Sequence, residues 1–205
     1  MARAFEELFE ITDAFRGIPM AGRTDSWILA DAAAAHGIPL DSAQLARFPD
    51  VYARHLSNEL PHPGPRKGLM PGVRGLLDAL HPRGDAYLAL LTGNYESGAK
   101  LKLEYFDLWR YFRCGAFGDD APDRNRLLPR AVARAAECGG PRIDPRDAIV
   151  IGDTPLDVAC AAASGARSIG VATGSHSVEE LRKAGADVVF EDLSNTSAVI
   201  ASMGL

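Results

Sequence analysis

The sequence predicts an α/β protein, with a small helical unit at the amino-terminal end and then a core in which helices cover both faces of a parallel sheet. Three observations lead there. Residues 1–60 show helical periodicity only, whereas from Pro71 onward short apolar runs alternate with amphipathic helical stretches. Between the two regimes, "PHPGPRKG" at 61–68 is the clearest linker signal in the chain. Strand and helix in alternation build a parallel sheet, because each crossover between parallel strands needs a connection of helical length. At 205 residues and 47% apolar content, the chain can bury a proper core.

In the helical unit, "RAFEELFEI" places Phe5, Leu8 and Phe9 on one face. "SWILADAAAAHG" forms a second helix, with Thr24, Asp25 and Ser26 positioned as an N-cap cluster and Gly37 as its stop. A third helix starts at Asp41 and is interrupted or kinked near Pro49. The unit spans residues 1–68 and the core 69–205. In the core, "GVRGLLDALH", "ESGAKLKLEYFDLWRYF", "RLLPRAVARAAEC", "LDVACAAASG" and "SVEELRKAG" read as helices. The strands are "AYLALLTG", "CGAFGDD", "AIVIGDT", "RSIGVATG" and "DVVF". The nearly unbroken apolar runs "YLALL" and "AIVIG" suit central strands covered on both faces.

Composition narrows the function classes. A net charge of −5 and a pI near 5.5, with no long basic stretch, argue against a nucleic-acid or membrane surface and for a small-molecule partner. No run approaches the roughly 18 apolar residues of a membrane span, and "MARAFEELFE" is acidic where a secretory signal would be basic. Cys114, Cys138 and Cys160 have no pairable spacing and fall in apolar segments, where a reduced cysteine packs as a small hydrophobe. The expected setting is the cytoplasm. Nothing in the sequence sets the oligomeric state.

Ligands of open parallel sheets bind at the carboxyl ends of the strands, and three of those ends carry chemistry. "LLTGN" presents Thr92 with the Gly93 and Asn94 amides, a group that can hold a phosphate oxygen or simply cap a helix. "GDTPLD" sets Asp153 and Asp157 one helical turn apart, two carboxylates suited to a hard cation such as magnesium. "DRNRLLP" supplies Arg124 and Arg126 beside a helix start, which taken alone is most simply a charged surface.

In that order and spacing the motifs resemble the haloacid dehalogenase-like superfamily, in the branch of phosphoglycolate phosphatase-like enzymes with a helical cap. Residues 1–68 resemble the cap, including "GIPMAGRTDSWIL", and 69–205 the Rossmann-like core. The resemblance implies a Mg2+-dependent phosphatase acting on a small phosphomonoester. Asp153, with Asp157, would bind the metal, and Thr92 with nearby backbone donors would hold the phosphoryl group. Arg126, aligned with the family's lysine, would neutralise it, with Asp157 orienting Arg126. Because the cap selects the substrate in such enzymes, Arg23 and Thr24 of "AGRTD" are candidates to meet its distal end, helix capping being the alternative.

One part of the family pattern is not found. The nucleophile and the acid-base aspartate lie in an Asp-x-Asp-Gly-Thr loop after a first, central strand, and residues 1–205 contain no such loop. Asp13 and the Asp119, Asp120, Asp123 group sit in other contexts. The fold expected is therefore a Rossmann-like three-layer core lacking its usual first central strand. Met1 leads at once into a helix with no capping residue before it. The expectation is that about 20 upstream residues supply the strand and loop, and that residues 1–205 alone are inactive. The other reading is a catalytically dead remnant that binds a phospho-ligand or a protein.

Overall fold

The computed structural model describes residues 1–64 and 68–205, so part of the 61–68 linker lies outside the described residues. Helix α1 (Ala2–Phe9) buries Ala4, Phe5 and Leu8. Helix α2 (Asp25–Ala35) starts on Thr24, whose side chain accepts from the Trp27 amide. The third expected helix divides into α3 (Ala43–Ala46), capped by Ser42, and α4 (Phe48–Glu59), with Pro49 in its first turn. Proline is tolerated there because first-turn amides have no partner within the helix, so the expected kink is a new helix start. The four helices share one apolar cluster around the fully buried Phe5, whose ring lies 4.7 Å from Phe9 and 5.5 Å from Phe15. Tyr95, from beyond the linker, joins that cluster.

Among the described residues the core contains five strands, β1 (Leu90–Leu91), β2 (Gly115–Ala116), β3 (Ile149–Gly152), β4 (Arg167–Val171) and β5 (Val188–Phe190), all paired in parallel. Its helices are α5 (Val73–Leu80), α6 (Glu96–Tyr105), α7 (Leu127–Glu137), α8 (Pro155–Ala163), α9 (Val178–Lys183) and α10 (Thr196–Met203). The last was not expected, since its "TSAVIASM" run of small residues lacks a clear amphipathic period. Helix α6 stops early because Asp107 adopts φ 53°, and a 3-10 turn, Trp109–Tyr111, follows. Leu76, Leu80 and Val199 cover one face of the longer sheet, and Leu128, Cys160 and Ala161 the other. The result is the three-layer α/β core. Among the described residues no helix is long and apolar enough to cross a membrane.

Two strand expectations need correction. The described strands form two sheets, β1-β2 and β3-β4-β5, so "YLALL" and "AIVIG" lie at edges and are not central. Only Leu90 and Leu91 of the first run enter a ladder, because the partner strand β2 offers only Gly115 and Ala116. Ile151 of β3 is 38% exposed, although its type suits full burial. Both features fit a core without its central strand. Of the cysteines, Cys160 is buried and Cys114 half-buried, but Cys138 is exposed because it caps the end of α7.

Helix α2 is stapled to the core. The Asp25 amide donates to the Gly93 carbonyl at 2.6 Å, Ser26 Oγ to the Gly118 carbonyl at 2.6 Å, and Thr24 Oγ1 to the Pro122 carbonyl at 2.6 Å. Gly93 makes this possible, since a Cβ there would fall inside contact distance of the Arg23 carbonyl. Gly93→Ala is therefore expected to cost about 1–3 kcal/mol in urea denaturation and to speed hydrogen exchange at the Asp25 amide. An unchanged exchange rate would mean that α2 is not held through this contact.

Candidate active site

The carboxyl ends of β1 and β3 open on one cavity of about 600 Å³, walled on its far side by residues of the helical unit. Thr92, Gly93, Asn94, Asp153, Asp157 and Arg23 all line it. Two other sequence candidates do not. Arg126 is exposed, in the 3-10 turn Arg124–Arg126 ahead of α7, and it is Arg124 that reaches the cavity. Thr24 is fully buried, and its hydroxyl is spent on the α2 cap and the Pro122 carbonyl, so it staples and faces no ligand.

At the end of β1, Thr92 Oγ1 accepts from the Asn94 amide at 3.2 Å and from Asn94 Nδ2 at 2.9 Å. Asn94 thus faces Thr92, and its donors do not point at a ligand directly. Lys102 Nζ, from α6, donates to Asn94 Oδ1. Burial holds the Lys102 ammonium below the usual lysine range, partly offset by the Asp25 carboxylate. Asp25 is buried, accepts from the Tyr95 amide at 2.9 Å, and is pushed by burial above the usual carboxylate range.

At the end of β3 the two carboxylates part company. Asp157 Oδ2 accepts from the Thr154 amide at 3.0 Å and from Thr154 Oγ1 at 2.8 Å, closing a capping box at the start of α8. Its Oδ1 meets Arg124 Nη2, and Arg124 Nη1 donates to the Gly22 carbonyl at 3.0 Å. Both oxygens of Asp157 are engaged, so the expected metal pair reduces to Asp153, to which no described side chain donates. Asp157 orients an arginine as expected, but that arginine is Arg124. Burial, and then the charge of Asp157, raise Asp153 above the usual carboxylate range. A carboxylate without a side-chain donor, on a cavity that Arg23, Lys102 and Arg124 also line, fits a magnesium ion that would take its remaining ligands from water and a bound anion. Among the described residues no group of three or more acidic, histidine or cysteine side chains surrounds a point.

Among the described residues two buried guanidinium nitrogens lack partners, Arg23 Nε and Arg124 Nε. Arg23 otherwise bonds Asp31 at 2.7 Å and the Pro19 carbonyl at 3.0 Å, and stacks 3.9 Å above the Trp27 ring. Sequence reasoning passed over Asp25 and Lys102. Asp25 reads in the sequence as part of a cap, while Lys102 lies four and three residues after the buried Gly98 and Ala99, a spacing that marks it as inward-facing.

A family model described as HAD-hydrolase-like matches residues 124–196. The phosphoglycolate phosphatase of Rhodospirillum rubrum is 30% identical over 181 residues, covering 86% of this chain and 71% of that protein. A probable phosphoglycolate phosphatase of Pseudomonas putida is 28% identical over 81% of this chain, which spans 64% of that relative's length. Among solved structures, a hydrolase from Pseudomonas syringae aligns with TM-score 0.67 and 22% identity, over 98% of this chain and 90% of that one. A predicted phosphoglycolate phosphatase from Haemophilus somnus aligns with TM-score 0.66 and 17% identity, over 97% and 88%.

Arg124→Met strips a charge partner from Asp157, whose side chain is 6% exposed, and is expected to cost about 3 kcal/mol in urea denaturation. A loss under about 1 kcal/mol would show that the capping box holds Asp157 by itself. Asp153→Asn should act oppositely and raise the melting temperature of the metal-free protein at neutral pH. The folded pKa of Asp153 lies above its unfolded value, so folding favours the protonated form. The wild-type penalty is present above the folded pKa and vanishes below the unfolded one. The gain should therefore shrink to nothing as pH falls through that window, and a pH-independent gain would assign it another cause.

Proposed function

The chain belongs to the haloacid dehalogenase-like superfamily, in its phosphoglycolate phosphatase-like branch, and from that membership we propose that its cavity serves magnesium-dependent hydrolysis of a small phosphomonoester. The observation that carries the proposal is a convergence of three groups. Thr92 at the end of β1, Asp153 at the end of β3, to which no described side chain donates, and Arg124, with its buried and partnerless Nε–H, share one cavity. Thr92 and the Gly93 amide receive a phosphoryl oxygen, and Arg124 neutralises charge that builds on the group in transfer. Asp157 keeps Arg124 in place. Magnesium held at Asp153 would supply further neutralisation of the phosphoryl oxygens.

The nucleophile must come from elsewhere. Asp157 is committed to Arg124 and Thr154, Asp25 to the Tyr95 amide, and Asp153 to the cation. A further strand ending in Asp-x-Asp, seated between β1 and β3, would pair both free edges and bring the two carboxylates to the mouth of the cavity. Met1 itself lines that cavity, so a segment joined to it would emerge there. In that arrangement a carboxylate oxygen attacks phosphorus, the bond to the substrate oxygen breaks, and the second aspartate gives that oxygen its proton. Water then hydrolyses the aspartyl-phosphate. Arg23, on the wall from the helical unit, faces the distal end of the substrate, and the names of the relatives favour a phosphoglycolate-like compound.

The test compares residues 1–205 with the same residues joined at their amino end to an apolar strand ending in Asp-x-Asp. Both are assayed on 2-phosphoglycolate and p-nitrophenyl phosphate, with Mg2+ and with EDTA. The shorter protein is expected to be inactive, and the longer one active until EDTA or Asp153→Asn removes the metal. Turnover by residues 1–205 that Asp153→Asn abolishes would mean the nucleophile lies within them. An inactive longer protein that still binds phosphate would favour the binding-module reading.

A further inference from the structure

Lys102 is a half-buried cation of the cavity to which the proposed reaction gives no task. Its ammonium carries three donors and no acceptor, so the Asn94 atom it meets must be the amide oxygen. The orientation of Asn94 follows. With Oδ1 turned to Lys102, Nδ2 is turned to Thr92 Oγ1 at 2.9 Å, and the Asn94 backbone amide adds a second donor to the same oxygen at 3.2 Å.

A threonine hydroxyl has two lone pairs and one proton. Both lone pairs of Thr92 Oγ1 are taken by Asn94, so the hydroxyl can take part in a further hydrogen bond only as a donor. No described group accepts that proton, and Thr92 lines the cavity. We propose that Lys102 is a positioning residue: by fixing the face of the Asn94 amide it makes Thr92 an obligate donor, so that the end of β1 receives an oxyanion and rejects a donor group. This deepens the phosphoryl reading of the site and rests on it.

The alternative state explains why a remote lysine matters. Without Lys102 the amide can turn over, its oxygen accepts the Thr92 proton, and the hydroxyl then presents a lone pair to the cavity. An incoming phosphate would meet repulsion in place of a hydrogen bond. The loss therefore passes through Asn94 and Thr92 and is more than the removal of a charge. Arginine at the position keeps the requirement for an acceptor, so it should preserve the orientation.

The experiment uses residues 1–205 with inorganic phosphate and Mg2+, following binding by 31P NMR, and the Asn94 side-chain amide by 15N–1H spectra. Lys102→Met and Thr92→Val should each weaken phosphate binding about tenfold. The double variant should be no weaker than Thr92→Val alone, and Lys102→Arg should restore binding to within about threefold of wild type. The Asn94 amide protons should exchange slowly in wild type and quickly in Lys102→Met. Wild-type affinity in Lys102→Met, or additive losses in the double variant, would overturn the relay and leave the phosphate site standing. No phosphate binding by wild type, or wild-type affinity in Thr92→Val, would overturn the phosphate reading and with it the relay's purpose. An unchanged Asn94 amide in Lys102→Met would overturn the relay by itself.

Discussion

The burial of one carboxylate, Asp157, sets most of what surrounds the cavity. A charge with 6% of its side chain exposed needs partners on each oxygen, because an unpaired buried ion costs several kcal/mol. Thr154 satisfies one oxygen and thereby starts α8, while Arg124 satisfies the other. Arg124 in turn holds the Gly22 carbonyl in the loop before α2. A single acid so ties the end of β3, the turn ahead of α7 and the helical unit to one point. Gly152 is part of the arrangement, since a Cβ there would fall inside contact distance of the Asp157 side chain.

The two sheets do not meet through hydrogen bonds, so something else must hold β1 and β3 in register. Helix α7 does so. Leu91 of β1 packs in one apolar cluster with Leu128 of α7 and Val150 of β3, and in another with Leu127 and Ala116. The layer beneath spans the gap that the ladders leave. This explains how the strand ends keep a shared cavity although neither inner edge is paired among the described residues. The exposed Ile151 and the half-buried Leu90 are the signature of sequence composed for a fuller sheet. Buried backbone groups seek partners, which is why a further strand is the natural occupant of the space.

Much of this was legible in the residues. Apolar runs located all five strands, and the alternation with helices made them parallel. Strand-end position singled out Thr92 and Asp153. What failed was choice between near neighbours. Arg124 and Arg126 stand two apart before the same helix, and only the turn of backbone over Arg124–Arg126 decides which guanidinium enters the cavity. Asp153 and Asp157 looked like a pair because helical spacing brings them to one side, but Asp157 closes a box on its own helix. Lys102 and Asn94 meet only through the packing of α6, eight residues on, and that contact has no local pattern. Helix α10 went unseen because small residues carry little period.

The directions in which burial moves the titrating groups separate two kinds of acid. Asp144, Glu180 and Asp187, at exposed caps and turns, are lowered chiefly by backbone N–H donors, so their charge supports the fold. Asp25 and Asp153 are raised and Lys102 is lowered, so each of these charges opposes it, and all three line the cavity. A fold that holds charges against its own stability concentrates them where ligands will compensate them. The compensation has an internal order. On the proposed function, a phosphoryl dianion at Thr92 and an ionised Asp153 would repel one another across the cavity they share. Arg124 is already paired with Asp157, which leaves less of its charge for either. A cation held between anion and carboxylate would relieve both at once, which on that reading makes Asp153 and Thr92 two halves of one site.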